Sequence, residues 1–347
     1  MITSVPVQEV WNELKTNPLA KYGAVTAVTA ISLVCLRKWI AGGVCRSQVQ
    51  LTGKTVVITG ANTGIGKETA MDLARRGARV VMACRDTRRG EVAASEVRQT
   101  TGNGNVVVRQ LDLSSLASVR QFTNKLNATE ERLDILINNA GVMMCPKSLT
   151  EDGFETQLGV NHLGHFLLTI LLLDKIKSSA PSRIVNVASI AHVGGKIHFD
   201  DLFFNKTPYD SLVSYRQSKL ANLLFTRELS RRTRAAGVSA FALHPGVIRT
   251  ELGRHVQTRF PLLSALLQAP AWLLMKTPRQ GAQTSIYCAV TEGLEVHSGC
   301  YFSDCRLKEP APEGKDDIAA MKLWDATCLN SCWRAEDKRG VTRSYDS

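Results

Sequence analysis

Thr55-Val56-Val57-Ile58-Thr59-Gly60-Ala61-Asn62-Thr63-Gly64-Ile65-Gly66-Lys67-Glu68-Thr69-Ala70 is the stretch from which the fold can be read. Its first five residues are a β-branched apolar run, which fits a strand buried on both faces. Three glycines then punctuate seven residues, Gly60 to Gly66, and a helical pattern runs on to Arg76. Strand, glycine turn and helix follow one another without a linker, so the turn is pinned at the strand's carboxyl end.

The same alternation continues downstream. Strands are expected at Arg79 to Ala83, Val106 to Val108, Leu133 to Ile137, Arg183 to Val187 and Val238 to Leu243. Helical patterns separate them at Gly90 to Gln99, Ala117 to Leu126, Phe154 to Ile176 and Tyr215 to Arg232. Apolar strands alternating with helices specify an α/β fold, a doubly wound parallel sheet of the Rossmann type covered on both faces. The chain has 347 residues, 44% hydrophobic and 21% charged, which suits a large core and excludes disorder over most of its length. Its net charge of +12 permits an anionic partner. The basic knots Arg75-Arg76, Arg88-Arg89 and Arg231-Arg232-Arg234 fall on expected helices, where a solvated face accounts for them, and no nucleic-acid recognition module is present. Nine irregularly spaced cysteines indicate reduced thiols in a reducing compartment.

The first 50 residues form an extension with a candidate membrane-anchor segment. Leu19 to Leu36 is almost wholly apolar, Gly23 to Leu36 carries no charge, and Arg37-Lys38 follow at once. A signal anchor, a cleaved signal peptide and a helix lying on the membrane or the domain all fit this pattern, although the cysteines argue against secretion. If the segment spans, the positive-inside rule leaves everything after it in the cytosol. The expected organisation is therefore 1–50 extension and anchor, 51–305 catalytic domain, and 306–347 charged tail with a short helix near Ile318 to Leu329 and a disordered end. Within the domain, Leu252 to Arg279 is unusually apolar, suiting either a lid over a greasy substrate near 252–279 or ordinary core packing.

The glycine turn has the chemistry of a dinucleotide site. Gly60, Gly64 and Gly66 let the backbone turn tightly and approach a pyrophosphate, which rests on the following helix N-terminus. The spacing G-x-x-x-G-x-G, with strand before and helix after, supplies the structural context such a motif needs. Arg85, just past the second strand, suits the 2′-phosphate of NADP(H) because a guanidinium forks onto phosphate oxygens. The alternative is that Arg85 faces solvent and Asp86 turns inward to a ribose, as in NAD enzymes.

Tyr215 and Lys219 lie one helical turn apart on the same face. A nearby ammonium favours the phenolate and is expected to lower the pKa of the tyrosine. Ser189, just past the fifth strand, can hold a substrate oxygen against Tyr215. Asn138-Asn139-Ala140-Gly141 closes the fourth strand and Asn161 lies inside the next helix. All these strand ends are carboxyl ends, where open α/β sheets bind ligands. His162 and His165 flank Asn161; without a third ligand their spacing indicates structural histidines rather than a metal site.

These motifs together resemble the short-chain dehydrogenase/reductase family. The likeness rests on T-G-x-x-x-G-x-G at 59–66, N-N-A-G at 138–141, Asn161, Ser189, Y-x-x-x-K at 215–219 and Pro245-Gly246, and covers Gly53 to Phe302. Within the family the chain is similar to the membrane-anchored, NADP-dependent retinol dehydrogenases. That closer likeness is carried by residues 41–46, 60–70, Ala83-Cys84-Arg85-Asp86, 141–146 and 159–166. The resemblance implies Tyr215 as general acid/base, Lys219 lowering its pKa and holding the ribose, Ser189 orienting the carbonyl, and Asn161 holding a relay water. It implies that Gly60, Asn62, Thr63, Gly64, Ile65 and Gly66 hold the pyrophosphate. Asp112, Asn139 and Gly141 would line the adenine pocket, and Pro245, Gly246 and Thr250 the nicotinamide side. The function expected from it is NADP(H)-dependent interconversion of retinol and retinal, in the reducing direction, at the endoplasmic reticulum membrane with the catalytic domain in the cytosol. Other lipid aldehydes or steroid ketones are alternative substrates, and a non-catalytic dinucleotide-binding scaffold is the remaining alternative. The expected partners are a small apolar substrate and a membrane, with no nucleic acid; a homo-oligomer is compatible with the sequence.

Overall fold

The computed structural model describes residues 16–248 and 274–331 of the 347. Helix α1 spans Pro18–Ala41, followed by strand β1, Thr55–Thr59, and helix α2, Gly64–Arg75. Next come β2, Arg79–Cys84; α3, Thr87–Thr101; β3, Val106–Gln110; α4, Leu116–Thr129; and β4, Ile135–Asn138. Helix α5 covers Thr156–Ser178 with a π turn at Gly159–Leu163. The chain continues through β5, Ser182–Val187; α6, Ser211–Thr233; β6, Val238–His244; α7, Pro278–Val290; β7, Tyr301–Ser303; β8, Arg306–Leu307; and α8, Asp317–Ser331.

Among the described residues the strands form one sheet in the order β3-β2-β1-β4-β5-β6-β7-β8. All neighbours are parallel except the last pair, β7 with β8. The order reverses between β1 and β4, and the carboxyl ends of these strands diverge into a crevice there. The strands bury both faces because side chains alternate. Val56, Ile58, Val80 and Met82 pack towards α7, where Ile286 joins the same cluster. Val57, Val81 and Leu136 pack the other way, with Phe122 of α4 and Phe166 of α5. Each such fully buried aliphatic or aromatic side chain contributes about 1.5–3 kcal/mol, so the sheet centre is the most stable part of the molecule.

The α/β expectation holds, with shifts of at most four residues at element ends. Helix α3 starts at Thr87 rather than Gly90 because the Asp86 carboxylate accepts from Arg89 N at 3.0 Å and caps it. Three elements are not anticipated by the sequence patterns, α7, β7 and the two-residue β8. Helix α7 has a complete capping box, Thr277 with Gln280, and proline at its first position. Strand β7 is three residues long, too short to show a period. Residues 306–331 carry β8 and α8, and α8 agrees with the short helix expected near Ile318 to Leu329. Trp324 of α8 packs edge-on to Phe166 with ring centroids 5.0 Å apart, and Arg232 stacks over Trp324 at 4.4 Å. The expected disordered end and most of the apolar 252–279 segment lie outside the described residues.

Helix α1 is longer than its charge-free core suggested, because Arg37 and Lys38 continue it to Ala41. Asn17 caps it, accepting from Leu19 N at 3.0 Å, and Pro18 opens it. None of its side chains is buried, and its mean hydropathy of 1.7 makes it long and apolar enough to cross a membrane. It ends in contact with the sheet domain. Arg37 Nη2 donates to Gln280 Oε1 at 2.8 Å, and Gly42 abuts the Lys276–Asp304 ion pair so closely that no side chain fits there.

Candidate active site

The crevice at the β1/β4 reversal opens into a cavity of about 540 Å³. That is the size of many small-molecule and cofactor sites, roughly 300–1,000 Å³. Its floor is the glycine turn: Gly60, Asn62, Thr63, Gly64, Ile65 and Gly66 all line it. Gly66 must be glycine because a Cβ there would lie 2.4 Å from the Gly60 carbonyl oxygen. Gly60 has φ +64°, a conformation that favours glycine. The N-cap of α2, Thr63, makes no side-chain capping bond. The first N–H groups of α2 are thus left without a side-chain acceptor at the cavity floor, the arrangement that binds a phosphate. These residues fit a dinucleotide.

Arg85 is exposed and lines the cavity together with Asp86 and Arg89, and Asp86 also caps α3 through Oδ1. Arg89, which helical spacing alone places on a solvated face, also reaches the cavity, and its place one turn beyond Arg85 is the signal in the sequence. Asp112, Asn139 and Gly141 also line the cavity. Asp112 Oδ1 accepts from Ser114 N at 2.9 Å and Ser114 Oγ at 2.7 Å, which closes the turn after β3. Asn139 Nδ2 donates to Thr59 O at 2.8 Å, tying the fourth strand's end to the first's.

Beyond Gly141 lies the second group of predicted residues. Gly141 separates the two regions: a Cβ there would sit 3.2 Å from Asn161 Oδ1 and 3.5 Å from Lys219 Nζ. Asn161 lies in the π turn of α5, a distortion common at functional sites. Its amide is spent structurally, accepting from Val142 N at 2.8 Å and donating to Val142 O and Ser218 Oγ at 2.9 Å each. Helix α6 is started by Asp210, which accepts from Leu212 N and Val213 N. It presents Tyr215 and Lys219 to the end of β5, where Lys219 Nζ donates to Val187 O at 3.2 Å. The Lys219 ammonium is 5.7 Å from the Tyr215 ring centre. Ser189, half-buried, follows β5 directly and accepts from Ala191 N at 3.1 Å.

Burial governs the electrostatics of this group. Lys219 is only 3% exposed, and desolvation brings its pKa down to about 8. Tyr215 is pushed up to about 12 by burial, with the Ser189 hydroxyl pulling the other way. The expectation that Lys219 lowers the tyrosine's pKa thus meets a larger opposing effect, because the phenolate loses more hydration than the neighbouring groups return.

Pro245 and Gly246 follow β6 and are not among the residues that line this cavity. Gly246 has φ +100° and packs against the Lys276 stem. Thr250 lies outside the described residues. Histidines 162 and 165 are both buried and engaged, His162 Nε2 with Thr327 Oγ1 at 3.0 Å and His165 Nε2 with Thr59 Oγ1 at 2.8 Å.

Comparison with known proteins agrees with this architecture. Residues 54–259 match the family model described as short chain dehydrogenase. Retinol dehydrogenase 12 of Homo sapiens is 57% identical over 293 residues, spanning 84% of this chain and 91% of that protein. Retinol dehydrogenase 13 of Homo sapiens is 54% identical over 308 residues, spanning 88% and 92%. Among solved structures, an uncharacterized protein from Mycobacterium paratuberculosis superposes with a TM-score of 0.67 at 38% identity, covering 84% of this chain and 98% of that one. The Pseudomonas aeruginosa RhlG/NADP active-site complex gives a TM-score of 0.59 at 25% identity, covering 73% and 95%. The chain belongs to the short chain dehydrogenase family and is an oxidoreductase.

Proposed function

We propose that this oxidoreductase interconverts retinol and retinal with NADP(H), working chiefly as a reductase of all-trans-retinal. The observation that carries the reading is the meeting of Ser189, Tyr215 and Lys219 at the end of β5, directly behind the Gly141 wall of the nucleotide cavity. The retinoid comes from the names of relatives more than half identical over most of the chain. Preference for NADP(H) is supported by the two guanidinium groups, Arg85 and Arg89, that line the cavity.

When bound, the dinucleotide supplies hydride to the carbonyl carbon. Tyr215, neutral at physiological pH, donates its proton to the carbonyl oxygen. Lys219, charged below about pH 8, stabilises the phenolate left behind. Ser189 donates a hydrogen bond to the same oxygen and fixes its approach. Asn161 acts through geometry, holding the Val142 backbone and Ser218 in place.

Helix α1 is read as the anchor. Its 24 residues span about 36 Å at 1.5 Å per residue, enough for a bilayer core. Arg37 and Lys38 near its end favour a cytosolic position for the sheet domain, and the endoplasmic reticulum is the proposed membrane. The test is an assay on membrane fractions with all-trans-retinal. Turnover with NADPH well above that with NADH is expected; the reverse ratio removes the cofactor assignment, and no turnover with either removes the retinoid one.

A further inference from the structure

We propose that His165 is a positioning residue, a neutral imidazole that ties the floor of the nucleotide cavity to the catalytic π turn. The proposal rests on the oxidoreductase reading of the site and adds a part to it.

The argument is one of hydrogen-bond accounting. A threonine hydroxyl has one hydrogen and two acceptor positions. Thr59 Oγ1 accepts from Asn139 N at 2.9 Å and from Ala140 N at 3.0 Å, so both acceptor positions are taken. Its hydrogen has two candidate acceptors, His165 Nε2 at 2.8 Å and Ile137 O at 3.5 Å, and the shorter contact takes it. Nε2 is then an acceptor, and a neutral imidazole that accepts at Nε2 carries its hydrogen on Nδ1. Nδ1 lies 3.1 Å from Asn161 O and donates to it. The ring is only 2% exposed, and burial brings its pKa down to about 4, consistent with the neutral form.

Each end of this relay reaches something the reaction needs. At one end, Thr59 fixes the backbone of Asn139 and Ala140, next to Gly141. At the other, Asn161 holds Ser218, whose hydroxyl donates to Tyr215 O at 2.8 Å. His165 is the bridge between β1 and the π turn, and so between where the nucleotide sits and where the tyrosine sits. A structural histidine filling space would be replaceable by any side chain of similar volume; a bridge would not.

The two arms can be separated by substitution. Glutamine places its amide near the Nε2 position and keeps the Thr59 contact, whereas asparagine places its amide near Nδ1 and keeps the Asn161 contact. Direct NADPH binding, followed by nicotinamide fluorescence, and steady-state kinetics with all-trans-retinal should therefore diverge. His165→Gln is expected to hold nucleotide affinity within about threefold and lower kcat about tenfold, the effect of roughly one lost buried hydrogen bond. His165→Asn is expected to weaken NADPH about tenfold with a smaller loss of kcat. Adding His165→Asn to Thr59→Val should cost no further affinity, because the contact is already gone. Equal effects of the Gln and Asn variants on both readouts, or additive losses in the double variant, would overturn the proposal. A wild-type protein that binds NADPH but leaves retinal unreduced would count against the retinoid assignment, and the nucleotide-affinity pattern would still decide the role of His165.

Discussion

The two ends of the cleft are built by opposite means. At the nucleotide end the working groups belong to the backbone: glycines that permit close approach, and the N–H groups of α2, which Thr63 does not cap. They need no buried charge and lie within eight consecutive residues, 59–66. At the catalytic end the working groups are side chains drawn from α5, α6 and the loop after β5, and two of them, Tyr215 and Lys219, are ionisable and almost fully buried. The nucleotide end is cheap to hold. The catalytic end is costly to hold, and that cost is paid in desolvation so that a proton sits where it is needed. Changes at the first end should act on binding, and changes at the second on turnover.

The sharpest break would come from Tyr215→Phe. Loss of the phenolic proton should lower kcat by roughly 10²–10⁴-fold, as for other general acids. NADPH affinity should stay unchanged by fluorescence titration; a parallel loss of affinity would mean the two ends are not separable. Gly66→Ala attacks the other end. Its Cβ would fall 2.4 Å from the Gly60 carbonyl, so the turn must deform, and dinucleotide affinity should drop on the order of 100-fold by the same titration. Unaltered affinity would show that the floor of the cavity is not the pyrophosphate seat.

Arg85→Ala should have a smaller effect and a selective one. A charge-assisted hydrogen bond contributes about 1.5–3 kcal/mol, so kcat/KM with NADPH should fall roughly 10–100-fold while that with NADH stays nearly constant. Equal losses for both nucleotides would return Arg85 to the role of a solvated side chain.

The same contrast explains what the sequence disclosed. The β1-turn-α2 unit was legible because its logic is local: strand, glycines and helix start are contiguous, and nothing distant is needed to read them. Tyr215 and Lys219 were legible through helical spacing. Their electrostatic state was not, because the loss of hydration that sets Tyr215 near 12 comes from burial in the folded chain, which helical spacing does not reveal. That Asp86 caps α3 while also lining the cavity is not legible locally, because its backbone path after β2 sets both. His165 looked like a filler beside Asn161; its partner, Thr59, lies 106 residues away. Helix α7 could have been found from Thr277-Pro278 and Gln280, a local start signal that was overlooked.

A pH profile sharpens the catalytic end further. Tyr215 remains protonated as a donor well above neutrality, whereas Lys219 loses its charge as the pH rises through about 8. Reduction requires the ammonium to stabilise the forming phenolate, so kcat for retinal reduction should decline above about pH 8. The decline should approach tenfold per pH unit, the slope of a single essential proton. A flat profile from pH 7 to 10 would detach Lys219 from the chemistry.

The smallest expected effect, a shift in thermal stability, tests the cost directly. Lys219 titrates near 10.5 when solvated and near 8 in the fold. Between those values the unfolded chain binds the extra proton, so stability rises with pH there. The penalty for burying the charge is complete below about pH 8 and gone above about 10.5. It amounts to a few kcal/mol at about 1.4 kcal/mol per unit, partly offset by the hydrogen bond to Val187 O. Lys219→Met removes the penalty while filling similar space. At pH 7 the variant should melt roughly 2–5 °C higher than the wild type, although it turns over poorly. The gain should shrink as the pH is raised from 8 to 10, because the wild-type lysine then becomes neutral in place. A variant that melts lower at pH 7, or a difference that does not change with pH, would mean that the buried ammonium stabilises the catalytic end, and the contrast between the two ends would have to be abandoned.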